Sequence, residues 1–172
     1  MSTTNGYDQF LTQFRDTILS ATTRLKDITE EQSRRGSSAD SWSPIEILGH
    51  LIDSAANNHQ RFVRAQFTDD LVFPGYEQEQ WVSAQKYNEA SWPALIELWR
   101  AYNLHLLHVV SVIPQQLLTQ PRKNHSLDRI AFNTVDQSTP ATLEYLIRDY
   151  LDHLQHHLDQ IWREIWPTPT KN

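Results

Sequence analysis

The stretch Ser138–Trp166, STPATLEYLIRDYLDHLQHHLDQIWREIW, decides the fold because it has the pattern of one long amphipathic helix. Its opening favours a helix start, with Ser138 or Thr139 as the N-cap and Pro140 at the first helical position. Pro167 cannot continue the helix. At about 100° per residue, its apolar residues share one face, which we expect to face a core: Leu143, Ile147, Tyr150, Leu151, Leu154, Leu158 and Ile161.

Three histidines lie on this predicted helix. His153 and His157 are one turn apart at the edge of the apolar face, whereas His156 points to the polar side. Two neutral imidazoles at this spacing can bind one metal ion. The same pair is also compatible with two partly buried, hydrogen-bonded histidines, so a metal site needs a third ligand from elsewhere in the chain.

Length and composition indicate one soluble domain. The chain has 172 residues, of which 39% are hydrophobic, and this fits a single domain over residues 1–172 with one core. No apolar run approaches the ~18 residues that a membrane helix needs. Because the first residues lack the pattern of a signal peptide, we expect a cytoplasmic protein that is not bound to a membrane.

The net charge and the absence of cysteine exclude several kinds of partner and reaction. The formal net charge is −6 without a basic cluster, and the 4 glycines form no phosphate-binding pattern, so no nucleic acid is expected as a partner. Cysteine is absent from the sequence, which excludes disulfides, thiolate metal ligands and a thiol nucleophile of the protein itself. Any thiol chemistry therefore requires a thiol cosubstrate.

Three further amphipathic helices precede the last one. Apolar spacing predicts the first over about residues 7–28 and the third from near Ser91 and Pro93 to Pro114. The second follows a capping box formed by Ser43 and Glu46 and extends to about Phe67. The sequence therefore predicts an all-α four-helix bundle with long connections after helices 2 and 3. The aromatic connection at residues 68–90 either walls a pocket or covers an open end of the bundle.

A polar stripe follows the apolar side of the second helix. His50, Ser54, Asn57 and Arg61 stay within about 60° of each other. A solvated helix flank is the alternative explanation for these residues. With His153 and His157, His50 could give one ion three imidazoles and open positions, which is typical of catalytic sites. We assign no role to His59, which lies opposite His50, and expect His105 and His108, toward the polar side of the third helix, to be exposed and not to be ligands.

The second helix contains the pattern HLIDS from His50, followed by Arg61, and the last helix contains TLEYLIRDYLDHLQHHLDQI. These features resemble the DinB-like superfamily, which includes YfiT-type metal-dependent enzymes. The resemblance covers essentially the whole chain. It implies a four-helix bundle and a divalent metal held by His50, His153 and His157, with His156 excluded from the ligands. Better understood members resemble transferases or isomerases that use bacillithiol, mycothiol or glutathione.

Three neutral imidazoles leave the full charge on a divalent ion, which lowers the pKa of a bound water or thiol. Imidazole ligands favour one divalent transition metal ion, with zinc or nickel as the best candidates and iron or manganese as the next. We therefore expect a metal-dependent thiol transferase or hydrolase in which the ion activates a small thiol, or water, for transfer to a small electrophile. The alternative is a stress-associated metal-binding protein without catalysis.

The surroundings of this site can also be assigned provisional roles. Ser54 and Arg61 could orient an anionic group, and the aromatic connection could wall the pocket with Tyr76 and Trp81. The nearest carboxylates that could hold an imidazole N–H are Asp53 and Asp149. The expected partners are a small thiol and an electrophilic substrate, and a homodimer formed through exposed aromatic residues stays open.

Overall fold

Four long helices dominate the computed structural model, which describes residues 3–36 and 41–166. In chain order the helices are α1 (Thr3–Lys26), α2 (Glu30–Ser33), α3 (Pro44–Arg64), α4 (Gln78–Gln85), α5 (Trp92–Ser111), α6 (Gln115–Thr119), α7 (Leu127–Ile130) and α8 (Leu143–Ile165), with a 3₁₀ turn at Tyr87–Glu89. The described residues contain no β-strand, so the predicted all-α class is confirmed. Within those same residues, no helix is both long and apolar enough to span a membrane.

The long helices form a four-helix bundle with an uncommon order. Helix α3 packs against α5 and α8, and α1 packs against the same two helices. Helices α1 and α3, which are consecutive long helices in the chain, therefore lie diagonally across the bundle. The predicted apolar faces meet in the centre, where the largest fully buried side chains include Trp92, Trp99, Phe14, Phe62, Ile18 and Leu48. This arrangement places α3 beside α8, and so brings the polar stripe next to the histidines of the last helix.

Helix α3 begins where the sequence predicts. The backbone N–H and the hydroxyl of Ser43 both donate to Oε2 of Glu46, at 2.9 and 2.7 Å, and Pro44 occupies the first turn. The helix ends at Arg64 instead of about Phe67, because the backbone N–H groups of Gln66 and Phe67 donate to carbonyls three residues back, as in a tight turn. Phe67 is largely exposed there and adds nothing to the apolar face.

The start of α8 differs from the prediction. Its N-cap is Thr142, whose side chain accepts from the backbone N–H of Tyr145 at 3.1 Å, so the predicted N-cap at Ser138 or Thr139 is wrong. The reason is tertiary, since Ala141 exchanges two backbone hydrogen bonds with Arg122 and is held extended. The apolar face is confirmed, because every residue predicted to lie on it is buried. Pro167 lies outside the described residues.

The connections contain more structure than the sequence indicated. Helices α2, α4, α6 and α7 all fall in segments that we predicted to be irregular. Arg122, predicted to lie in a loop, is 2% exposed and donates to the backbone oxygens of Ala65, Asp70 and Leu117. His125 is also buried, and its Nε2 donates to the Thr139 oxygen at 2.8 Å. Arg122 therefore joins the two long connections to each other, and His125 closes the second connection on itself.

Candidate metal centre

His50, His153 and His157 lie together where α3 packs against α8. One ligand nitrogen from each lies within 4.8 Å of the others. Nε2 of His50 is 3.2 Å from Nε2 of His153, and the ring centroid of His157 is 4.7 Å from that of His50 and 4.5 Å from that of His153. Two nitrogens bound at ~2.0–2.1 Å to one tetrahedral ion would be about 3.4 Å apart. The spacing therefore fits a single transition metal ion.

The three imidazoles are in the neutral form that metal binding requires. Burial, with a smaller contribution from neighbouring His157, lowers the pKa of His50 to about 3. Burial and the nearby histidines lower the pKa of His153 to about 2, with a further contribution from the positive charge of Arg61. Burial also lowers the pKa of His157. Near pH 7 each ring therefore offers a lone pair to a cation without first losing a proton.

Hydrogen bonds orient two of the rings. Nδ1 of His157 lies 2.7 Å from Oε1 of Gln160, and because this oxygen can only accept, Nδ1 carries the proton and Nε2 is left free. The Gln160 amide nitrogen donates to Nε2 of His156 at 3.2 Å. On the other ring, Nδ1 of His153 lies 3.4 Å from Oγ of Ser54. Partners of this kind fix the orientation of metal-binding histidines.

His50 is held by packing instead. Its side chain is fully buried, and the ring of Trp42 packs against the imidazole with centroids 5.1 Å apart. Its Nδ1 has no hydrogen-bond partner among the described residues. The polar contact of this imidazole is therefore with His153, through the two Nε2 atoms. A shared ion would engage both lone pairs at once, so the donor set fits a metal.

A cavity of about 390 Å³ adjoins the three histidines. Its volume is within the range of small-molecule sites. His153 and His157 lie in its wall, whereas the buried His50 does not line it. The rest of the lining comes from α3, α8 and the two long connections, and includes Ser54, Asn58, Arg61, Tyr76, Arg129, Phe132, Leu146, Asp149, Tyr150 and His156. A small ligand in the cavity would therefore reach one side of the histidine group.

Ser54 and Arg61 of the polar stripe on α3 line this cavity, so these two residues are not a solvated flank. Arg61 is only 7% exposed and donates to the Pro74 oxygen at 3.1 Å and to Oδ1 of Asn58 at 3.4 Å. No carboxylate of the described residues forms an ion pair with it. Ser54 lines the cavity as well, but Asn58 takes the place that we assigned to Asn57. Asn57 instead donates to the backbone oxygen of Asp53.

The two predicted aromatic residues have different positions. Tyr76 lines the cavity, and burial raises the pKa of its hydroxyl, so this group stays protonated near pH 7. Trp81 does not line the cavity. Its ring is partly exposed and packs against that of Tyr76, with centroids 5.0 Å apart. Trp81 therefore supports the wall from behind.

The two predicted carboxylates hydrogen-bond to groups other than imidazoles. Oδ1 of Asp53 accepts from the Tyr87 hydroxyl at 2.7 Å and from Nε2 of Gln85 at 2.8 Å. Asp149 accepts the backbone N–H groups of residues 132 and 133 at 2.8 and 2.6 Å. Neither matches the role that the sequence suggested. His153 and His157 have Ser54 and Gln160 as partners instead, while Asp53 and Asp149 hold the connections in place.

The contact of Tyr87 with α3 depends on a glycine. A Cβ atom at Gly49 would lie 2.1 Å from Cδ2 of Tyr87, so a larger residue would displace the ring. The close approach lets the Tyr87 hydroxyl reach Asp53, one turn along α3 from Gly49. The 3₁₀ turn is thereby fixed to the helix that carries His50.

Several residues that line the cavity or orient its histidines were missed by the sequence reasoning. Helical spacing could have identified Gln160, three residues after His157, and Asn58, four residues after Ser54. Arg129 and Phe132 gave no such signal, because they lie in a connection without periodicity. Their position depends on where that connection folds over α8.

Comparisons with known proteins agree with the fold. The family model of the DinB superfamily matches residues 13–161. A comparison with curated proteins finds no match. Among solved structures, YfiT from Bacillus subtilis, which is described as a probable metal-dependent hydrolase with an unusual four-helix bundle topology, is similar with a TM-score of 0.69. The alignment covers 90% of this chain and 85% of that chain at 16% identity, which shows a common fold.

Proposed function

The chain belongs to the DinB superfamily, and on that premise we propose that it is a metal-dependent enzyme whose ligands are His50, His153 and His157. The observation that carries the proposal is the convergence of three imidazole nitrogens within 4.8 Å of one another beside a cavity. Three histidines leave coordination positions free for solvent or substrate, as in catalytic sites. The description of YfiT as a probable metal-dependent hydrolase supports the same class of activity.

The reaction that we propose is the transfer of a small thiol, or of water, to a small electrophile. When bound, the ion supplies the Lewis acidity that makes such a nucleophile available near neutral pH. The sequence contains no cysteine, so a thiol must arrive with a cosubstrate. An all-imidazole ligand set suits zinc or nickel best, followed by iron or manganese.

The residues of the cavity would bind and orient the reactants. Arg61 is a buried cation that forms no ion pair with a carboxylate of the described residues, and it lines the same cavity as His153 and His157. An anionic group of the substrate or cosubstrate, such as a carboxylate, would satisfy this cation. Tyr76 offers a protonated hydroxyl as a further donor. The Tyr150 hydroxyl is already engaged, because it donates to Asn103 at 2.6 Å.

A stress-associated binding protein without catalysis would need no cavity at the ion. The lining by His153 and His157 therefore favours an enzyme, because a reactant in the cavity would reach the ligands directly. The first experiment combines metal analysis with two activity screens on the metal-loaded protein. One screen follows conjugation of electrophiles with bacillithiol, mycothiol or glutathione, and the other follows hydrolysis of simple esters and amides.

We expect turnover in one of the screens, its loss on chelation, and its recovery when zinc or nickel is restored. The His153→Ala variant should be inactive while its far-UV circular dichroism is retained. Turnover that survives both chelation and His153→Ala would contradict the proposal. A fully metal-loaded protein that turns over no substrate in either screen would favour the binding-protein alternative.

A further inference from the structure

A second group of histidines lies where α3 packs against α5. The ring centroids of His59 on α3 and His105 on α5 are 5.0 Å apart, with an angle of 86° between the planes. His108 follows on α5, its centroid 6.4 Å from that of His105. His59 comes nine residues after His50, which places it roughly 14 Å further along the helix axis and on the opposite side. This pair is therefore separate from the candidate metal centre.

The ring geometry of His59 and His105 can be compared with that at the candidate metal centre. There, the rings of His50 and His153 have centroids 5.1 Å apart at 77°. The rings of His59 and His105 thus have nearly the same separation and the same edge-to-face arrangement. Two imidazoles in this arrangement can each direct one nitrogen to a shared ion.

The rings of His59, His105 and His108 are also available for binding. His105 and His108 are exposed, so a change of rotamer can turn either ring toward His59. His59 is half-buried and more constrained, because its Nδ1 is 3.4 Å from the Tyr102 hydroxyl, which leaves Nε2 for a ligand. Burial and then the neighbouring His105 lower the pKa of His59, which keeps this ring neutral near pH 7. No carboxylate of the described residues forms an ion pair with these histidines.

We propose that His59 and His105, with His108 beside them, form a second binding site for a divalent transition metal that prefers imidazole, such as Cu²⁺, Ni²⁺ or Zn²⁺. Solvent would complete its coordination, because among these three described histidines one pair has the chelating separation. Binding is therefore weaker than at three histidines, and Cu²⁺ binds most tightly among these ions. The proposal is independent of any catalytic role of the first centre.

The test is a titration of the metal-free protein with Zn²⁺ and with Cu²⁺, followed by calorimetry in the presence of a competing chelator. The wild type should bind one ion tightly and a second ion more weakly. A His59→Gln/His105→Ala variant should lose the weak phase and keep the tight one, whereas His153→Ala should do the opposite. His156→Ala, which removes an exposed histidine elsewhere, should keep the weak phase.

Imidazole NMR signals identify the residues directly, since those of His59 and His105 should shift during the weak phase. The single variant His105→Ala removes an exposed side chain and so tests the site without disturbing the core. A weak phase that persists in both variants, or a wild type that shows the tight phase only, overturns the proposal. A wild type that shows only the weak phase, and loses it with His59→Gln/His105→Ala, would support this site and count against the first centre.

Discussion

The metal centre and the wall of the cavity are built in different ways. The three imidazoles project from α3 and α8, two long helices whose packing sets the distances between the rings. The cavity wall also includes both long connections, and single side chains of the helices hold these connections: Arg61 donates to the Pro74 oxygen, and Asp149 accepts the N–H groups of residues 132 and 133. Metal affinity and wall order should therefore respond to different substitutions.

The largest effect is expected for a ligand of the metal centre. His153→Ala should weaken zinc binding by at least ~100-fold, because loss of a mere supporting partner already costs about 10- to 100-fold. His156→Ala, in which an exposed histidine of the same helix is removed, should leave zinc affinity almost unchanged. Competition with a chromophoric chelator measures both. Equal losses in the two variants would mean that α8 presents a different face to α3.

A somewhat smaller loss is expected when the support of a ligand is removed. Gln160→Leu deletes the acceptor of the His157 Nδ1 proton, and should weaken zinc binding by about 10-fold or more. The matched control is Gln155→Leu, because Gln155 lies on the same helix but donates to Thr17 on α1. Similar affinities for the two variants would show that the hydrogen bond to Gln160 does not orient the ring.

On the side of the wall, Arg61→Ala should act on substrate binding. It should raise KM for an anionic substrate or cosubstrate by about 10-fold or more, since a hydrogen bond to a charged group is worth roughly 1.5–3 kcal/mol. The value of kcat should fall less if the contact is the same in the ground state and the transition state. Arg64→Ala, which removes an exposed arginine of the same helix, is the control. An unchanged KM for anionic compounds would exclude this role.

Asp149→Asn should loosen the wall while zinc affinity is retained. The amide can accept from one backbone N–H but turns a donor toward the other, which should reduce the free energy of unfolding by about 1–3 kcal/mol. Urea denaturation measures the loss, and faster hydrogen exchange at Phe132 and Asn133 would locate it. Asp152→Asn should have little effect, because Asp152 is exposed and accepts the Asn133 side chain at 3.3 Å. A comparable loss of zinc affinity would show that wall and centre are coupled.

Removal of the metal is expected to change the helix content least of all. Each buried Leu or Phe side chain contributes about 1.5–3 kcal/mol, and the bundle core contains many such residues. Chelation should therefore leave the far-UV circular dichroism nearly constant, and lower Tm only by the linkage between binding and folding. Collapse of the helical signal would instead place the metal centre among the determinants of the fold.

Local sequence patterns alone predicted the four long helices and the orientation of their apolar faces. Apolar spacing in α8 identified its buried residues, and the same periodicity placed His153 and His157 together and turned His156 away. The start of α3 followed from Ser43, Pro44 and Glu46 alone. These features were predictable because they depend on the geometry of one helix and on contacts between residues close together in sequence.

Which helix faces contact each other depends on the tertiary packing. The packing of α3 against α8 brought His50 to the other two histidines, a grouping that the sequence indicated as one possibility of a bundle and through a family resemblance. The pairing of Ala141 with Arg122 moved the start of α8 to Thr142. The partners of Asp149 likewise come from a connection without a periodic pattern. Contacts of this kind join residues far apart in sequence, so their energies depend on the folded bundle and are not encoded in local spacing.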